Sequence, residues 1–198
     1  MLDWIKNINK EYPEFWKLYL AKFETKSNRY VIINTETSGF NPKKDVVISI
    51  GGIGMLNDVI KIGDNFEVVI MQYKYLHDQG LSNESIIDSK LTKLTEQQAI
   101  QAFVDYIGNA VLVGHRIHLE IEMINEALEK MGCSKLKNEA LDIEIMHQKL
   151  LDSTSKAFTL EALIKAYGLP HFEKDTVSDG AYAIALLFLK LKTRLGFK

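Results

Sequence analysis

The sequence predicts an α/β domain built on a mixed sheet, with its first three strands antiparallel and the later ones parallel, flanked by helices and preceded by a helical extension. Three observations carry this. Three Val- and Ile-rich runs lie close together: Arg29 to Asn34, Asp45 to Leu56, and Lys61 to Gln72. Between them stand the turn formers Asn41-Pro42, Asn57-Asp58 and Gly63-Asp64, so the runs read as an antiparallel meander. Helical periodicity then alternates with short apolar runs, the order expected of strands joined by covering helices. Finally, Ile5, Ile8, Tyr12, Phe15, Trp16, Tyr19, Leu20 and Phe23 recur at spacings of three and four, which is amphipathic helix.

Taken in order, residues 1–27 form the helical extension, packed on the domain that follows, with Pro13 suited to a first turn and Ser27-Asn28 ending the pattern. Residues 28–198 form the main domain. After the meander, Thr95 and Gln98 have capping-box spacing ahead of Ala99, Ile100, Phe103, Val104 and Ile107. Ala110 to Val113 is a short buried strand, and Leu119 to Met131 a helix stopped before Gly132. Glu139 to Ile143 is a further strand. Helices follow at Ile145 to Leu151, Thr159 to Tyr167 and Ser178 to Leu195, the last with Asp175, Ser178 and Asp179 as cap and first-turn residues.

Composition narrows function. The chain has 198 residues, 46% hydrophobic and 25% charged, with three prolines, which suits one globular domain. No apolar run approaches the ~20 residues that cross a bilayer, and Met1 to Lys10 is too charged for a signal peptide, so the expectation is a cytoplasmic protein with no membrane partner. Cys133 has no companion for a disulfide or a zinc site. A net charge of −2 disfavours a long nucleic-acid groove and leaves room for a small end-binding site. Lys190, Lys192, Arg194 and Lys198 read as the solvated face of a terminal helix.

Three blocks carry the chemistry. Asn34-Thr35-Glu36-Thr37-Ser38-Gly39 ends the first strand, where alternation puts residues 34 and 36 on one face. Gly114-His115-Arg116 turns a buried strand into a helix that begins with Glu120. Asp175 to Tyr182 opens the last helix. In order and placement these blocks resemble the motifs of the DEDDh-type 3'-5' exonucleases, which include ribonuclease T and the proofreading subunit of bacterial DNA polymerase III.

That resemblance implies a ribonuclease H-like fold. It also implies two divalent metals, Mg or Mn, held by four carboxylates, with a histidine as general base. Position by position, Glu36, Thr37, Ser38, Gly39, Gly114 and His115 match the family. Asn34 replaces a metal-bridging Asp, Arg116 an Asn, and Glu120 an Asp. In the preferred register of the third motif Asp175 replaces the histidine and Gly180 the last Asp; a register shifted by one makes Asp179 the ligand and still lacks the base.

The expectation is therefore an exonuclease-family domain with impaired catalysis. Its metal ligands would be Glu36, Glu120 and Asp179, binding weakly or not at all. Thr37, Ser38, Gly39 and His115 would contact a nucleotide or a single-stranded 3' end. Two alternatives stand beside it: an active Mg- or Mn-dependent exonuclease rebuilt from Glu120, Asp175 and Asp179 around Glu36, and a protein-interaction module using the aromatic N-terminal helix. His118 and His147 read as structural or solvated.

Overall fold

A computed structural model of the chain describes residues 11–72, 91–152, 157–170 and 176–196. The elements, in chain order, are α1 (Glu14–Ala21), a 3-10 turn (Lys22–Glu24), β1 (Arg29–Thr37), β2 (Val47–Leu56), β3 (Val59–Ile70), β4 (Thr92–Leu94), α2 (Glu96–Ile107), β5 (Val111–Gly114), α3 (Ile117–Lys130), β6 (Ala140–Asp142), α4 (Ile143–Leu150), α5 (Leu160–Ala166) and α6 (Val177–Leu195). The six strands form one sheet in the order β4-β3-β2-β1-β5-β6. The β1–β2 and β2–β3 pairs are antiparallel; β1–β5, β5–β6 and β3–β4 are parallel. The mixed sheet expected from the sequence is thus the one observed. Strand β4, three residues long, lacks the length to show a period and is new.

Alternation along the central strands divides the interior into two cores. Val31, Ile33 and Ile50 face one side with α1, α2 and α3, while Ile32, Ile53 and Met55 face the other with α4, α5 and α6. Neighbouring glycines of β2 serve opposite faces. A Cβ on Gly51 would lie 2.6 Å from the backbone carbon of Val177, and one on Gly52 2.8 Å from the Tyr106 ring. The sheet thereby admits the start of α6 on one side and an aromatic from α2 on the other.

Helix α1 is built into the first core. Trp16 and Tyr19 have no exposed surface and their rings lie 4.5 Å apart. The indole Nε1 donates to Ser134 Oγ at 3.2 Å, and the Tyr19 hydroxyl donates to Asn138 Oδ1 at 2.7 Å while accepting from the Lys137 N–H.

In the basic cluster of α6, Lys190 and Arg194 are exposed as expected, and Lys192 departs from the solvated face. Lys192 is buried, pairs with Asp58 of the β2–β3 turn and lies over the Tyr30 ring. Lys190 donates to the Tyr167 carbonyl, and the Arg194 guanidinium stacks on the Tyr167 ring. The alkyl stems and aromatic neighbours explain the difference, since long cations cover apolar surface while their heads find partners. Lys198 lies outside the described residues. Among the described residues no helix is long and apolar enough to cross a membrane.

Candidate functional site

Where β1 and β5 end, their loops and the start of α3 enclose a cavity of about 290 Å³. Such a crevice beyond the carboxyl ends of strands is where open α/β sheets take ligands. Asn34, Thr37, Gly39, His115 and Glu120 line it, together with Phe40, Arg116 and Glu161. Glu36, Ser38 and Asp179 are not among its lining residues. Asp175 lies outside the described residues.

The first block is largely committed to its own loop. The Thr37 hydroxyl donates to the Gly39 carbonyl at 2.8 Å, and the Ser38 hydroxyl to Asp45 Oδ1 at 3.2 Å. Asp45 also accepts the Asn41 N–H. Its carboxylate lies where a side chain on residue 39 would begin, 2.5 Å from an added Cβ, so any larger residue there would have to displace the carboxylate from its bonds to Ser38 and Asn41. Glu36 is exposed and accepts from Ser49 Oγ at 2.6 Å.

Asn34 is tied to α6 instead. Its amide Nδ2 donates to the Val177 carbonyl at 3.2 Å, a bond that an aspartate at this position cannot make. Asn34 pairs with Gly51 across β1–β2, and Gly51 with Glu67 across β2–β3; Glu67 Oε1 accepts the Ser178 N–H at 3.2 Å. One cross-strand row thus seats the first turn of α6: an amide holds a carbonyl, a glycine makes room, and a carboxylate takes an N–H.

Gly180 completes this seat. A Cβ added there would lie 2.4 Å from Asn34 Nδ2, so Gly180, not Asp179, stands opposite Asn34. Asp179 turns back instead to accept from the Thr176 N–H and hydroxyl, closing a capping box. The cap is therefore Thr176, with Asp179 as the reciprocal third residue.

A double-mutant cycle measures this contact. Alanine in place of glycine ordinarily favours a helix by ~1 kcal/mol, yet Gly180→Ala is expected to destabilise by ~1 kcal/mol, because the amide must leave Val177. With Asn34→Ala already present, Gly180→Ala should recover the helix gain, giving a coupling of ~1–2 kcal/mol in urea unfolding. Additive effects would show that the two side chains do not meet.

Glu120 is half-buried as a residue, but its Oε2 has no exposed surface and no hydrogen-bond partner among the described residues. Its Oε1 accepts the Thr35 N–H at 3.1 Å. That N–H lies beyond the last β1–β5 pair, Ile32 with Val113, so the carboxyl continues the ladder where the strand stops. Burial pushes the Glu120 carboxyl up to about 8; the Thr35 N–H and hydroxyl pull it down and the charge of Asp142 adds to the rise.

The second block rests on a network that the sequence left unread. His115 Nε2 donates to the Phe158 carbonyl at 2.8 Å. The Phe158 N–H and Arg116 Nε both donate to the buried carboxylate of Glu144, at 2.6 and 3.0 Å. Burial alone would raise the Glu144 carboxyl, but these two donors and the His115 ring hold it below its ordinary value. Asp142 accepts from the Ile117 and Glu144 N–H groups, joining the starts of α3 and α4. Two acids spaced by one residue at a strand-to-helix junction were the only sequence signal for this.

Among the described residues the donor set does not suit a pair of hard dications, which need several anionic oxygens converging on one point. Asn34 and Gly180 bring none, the Asp179 carboxylate is turned to its own cap, and the Glu120 carboxyl is turned to Thr35. Among the described residues no three His, Cys, Asp or Glu side chains are grouped to hold a metal ion.

Comparison with known proteins follows the same lines. The exonuclease family model RNase_T matches residues 31–186. A DNA polymerase III PolC-type of Pediococcus pentosaceus is 27% identical over 169 residues, covering 83% of this chain and 12% of that protein. The chain thus spans about an eighth of the PolC-type relatives it matches. A DNA polymerase III subunit epsilon of Aquifex aeolicus is 20% identical over 174 residues, covering 85% of this chain and 83% of the relative. Escherichia coli exonuclease I in complex with a dT13 oligonucleotide shares the fold, with a TM-score of 0.66 at 16% identity over 86% of this chain and 42% of that one. With a matching sheet and a family model spanning most of its length, the chain belongs to the RNase_T exonuclease family.

Proposed function

We propose that the cavity at the ends of β1 and β5 binds the 3' end of a single-stranded nucleic acid, or a nucleotide, and hydrolyses it poorly. The observation that carries this reading is the Asn34–Gly180 contact. Two positions that the family resemblance assigns to metal ligands touch each other, and the amide of one is engaged with Val177. The remaining assigned acids are also engaged: Glu36 with Ser49, Glu120 with Thr35, Asp179 with Thr176. Losing converging charge removes metal-assisted activation of water.

Binding has its own support. Phe40 stands at the cavity, 80% exposed, and presents a ring face on which a base can stack. The fold is one on which exonuclease I holds a dT13 oligonucleotide.

Fluorescence anisotropy with 5'-labelled single-stranded oligonucleotides, with and without Mn²⁺, tests the reading. Saturable binding is expected, with mononucleotide release at least ~10²-fold below that of an intact site, the scale of losing a positioned base. Absence of saturable binding under both conditions sinks it. Rapid Mg²⁺- or Mn²⁺-dependent release that vanishes in Glu36→Ala would establish the rebuilt active site instead.

A further inference from the structure

The turn between β5 and α3 places Arg116 where the family resemblance expects Asn. Its backbone is left-handed, with φ 55° and ψ 40°, a region that Asn tolerates and a long side chain disfavours. Here a bulky cation occupies a conformation better suited to the smaller residue. Strain of this kind, held by its surroundings, is a marker of function.

The surroundings do hold it. Arg116 Nε donates to Glu144 Oε2 at 3.0 Å, and Glu144 is fixed in turn by the Phe158 N–H at 2.6 Å. The Glu144 side chain is only 9% exposed, whereas that of Arg116 is 40% exposed. The guanidinium is therefore clamped at one edge on a buried base. It carries five N–H donors, and among the described residues its hydrogen bonds go to Glu144 alone. The unclamped edge belongs to a residue lining the same cavity as Thr37 and Phe40. A pre-oriented guanidinium fork beside an exposed ring suits a phosphate joined to a base, because the fork matches two phosphate oxygens at once. Glu120 and Glu161, also at the cavity, are the acidic groups that this arrangement must outweigh.

We infer that Arg116 is the phosphate anchor of this cavity, binding the phosphate of a nucleotide directly, with no divalent ion between them. The inference rests on the reading of the cavity as a nucleotide site. The phosphate can belong to a mononucleotide or to the last linkage of a strand.

Anisotropy of 5'-fluorescein-(dT)6 in EDTA separates the outcomes. Wild type should bind saturably, and dTMP should compete while thymidine does not if a mononucleotide is accepted; competition by unlabelled (dT)6 alone assigns the site to the strand. Arg116→Asn, which suits the left-handed backbone, should weaken binding about tenfold or more. Arg116→Lys keeps a cation for Glu144 and loses the fork, and should weaken it at least about threefold. Thermal melting confirms that each variant is folded. Equal binding by both folded variants, or binding that appears only with Mn²⁺, overturns the anchor and leaves the nucleotide site standing. If neither probe binds wild type with or without Mn²⁺, the nucleotide site falls and the anchor with it.

Discussion

Trp16→Ala is expected to lower the free energy of unfolding by ~3–5 kcal/mol, the range for removing a large aromatic from a packed core. The indole has no exposed surface, stacks on Tyr19 and edges against Phe15 at 6.2 Å between ring centroids. Truncation leaves a cavity and also deprives Ser134 Oγ of its donor. Urea unfolding with an unchanged slope would register the full loss as a lower midpoint. A loss under ~1 kcal/mol would mean that α1 is peripheral, in the range of surface substitutions. The aromatic stripe that could have served a protein partner is, at Trp16 and Tyr19, engaged with residues 134–138 and with α2. A partner would have to use what remains outside, such as Leu18, 57% exposed.

The second large effect is on pH dependence. Glu120 has an ordinary value of 4.5 and is raised to about 8 in the fold, so between those values the folded chain holds a proton that the unfolded chain has released. The contribution is fully present below about 4.5, declines as pH rises, and is gone once pH passes through about 8. Integrated over that window the loss is ~3–5 kcal/mol. Glu120→Gln keeps an acceptor for the Thr35 N–H and has nothing to ionise. It should match wild type closely near pH 5 and exceed it above pH 8. Urea midpoints for both proteins at pH 5, 6.5 and 8.5 decide the matter, and parallel profiles would show that Glu120 does not titrate in this window.

Much of the fold was legible because its signals are local. The meander announced itself through Val and Ile runs broken by Asn-Pro and Asn-Asp. The turn residues Asn57 and Asp58 adopt the positive φ values, 51° and 60°, that suit their type. The Thr95–Gln98 box forms as its spacing implied. What stayed hidden is relational. Nothing in the string tells that Gly51 faces Val177, that Glu67 on the neighbouring strand reaches Ser178, or that Glu144 gathers Arg116 and the chain at Phe158. Asp175, Ser178 and Asp179 were plausible caps by residue type, but the capping role falls to Thr176 because its hydroxyl meets the Asp179 N–H. Of the candidate positions, Asn34, Thr37, Gly39, His115 and Glu120 share one cavity, whereas Glu36, Ser38 and Asp179 do not line it. Which way each side chain turns was not legible, because orientation depends on neighbours far away in sequence.

The Asn34–Gly180 contact also has a consequence for substitution at either position. Changing Asn34 to aspartate alone strips the Val177 carbonyl of its donor and sets a negative charge against it. Changing Gly180 to aspartate alone drives a side chain into the amide. Each single step toward an acidic pair runs uphill in stability, while the present pair is mutually accommodating. The two positions are therefore coupled: neither changes to aspartate without cost while the other keeps its present side chain.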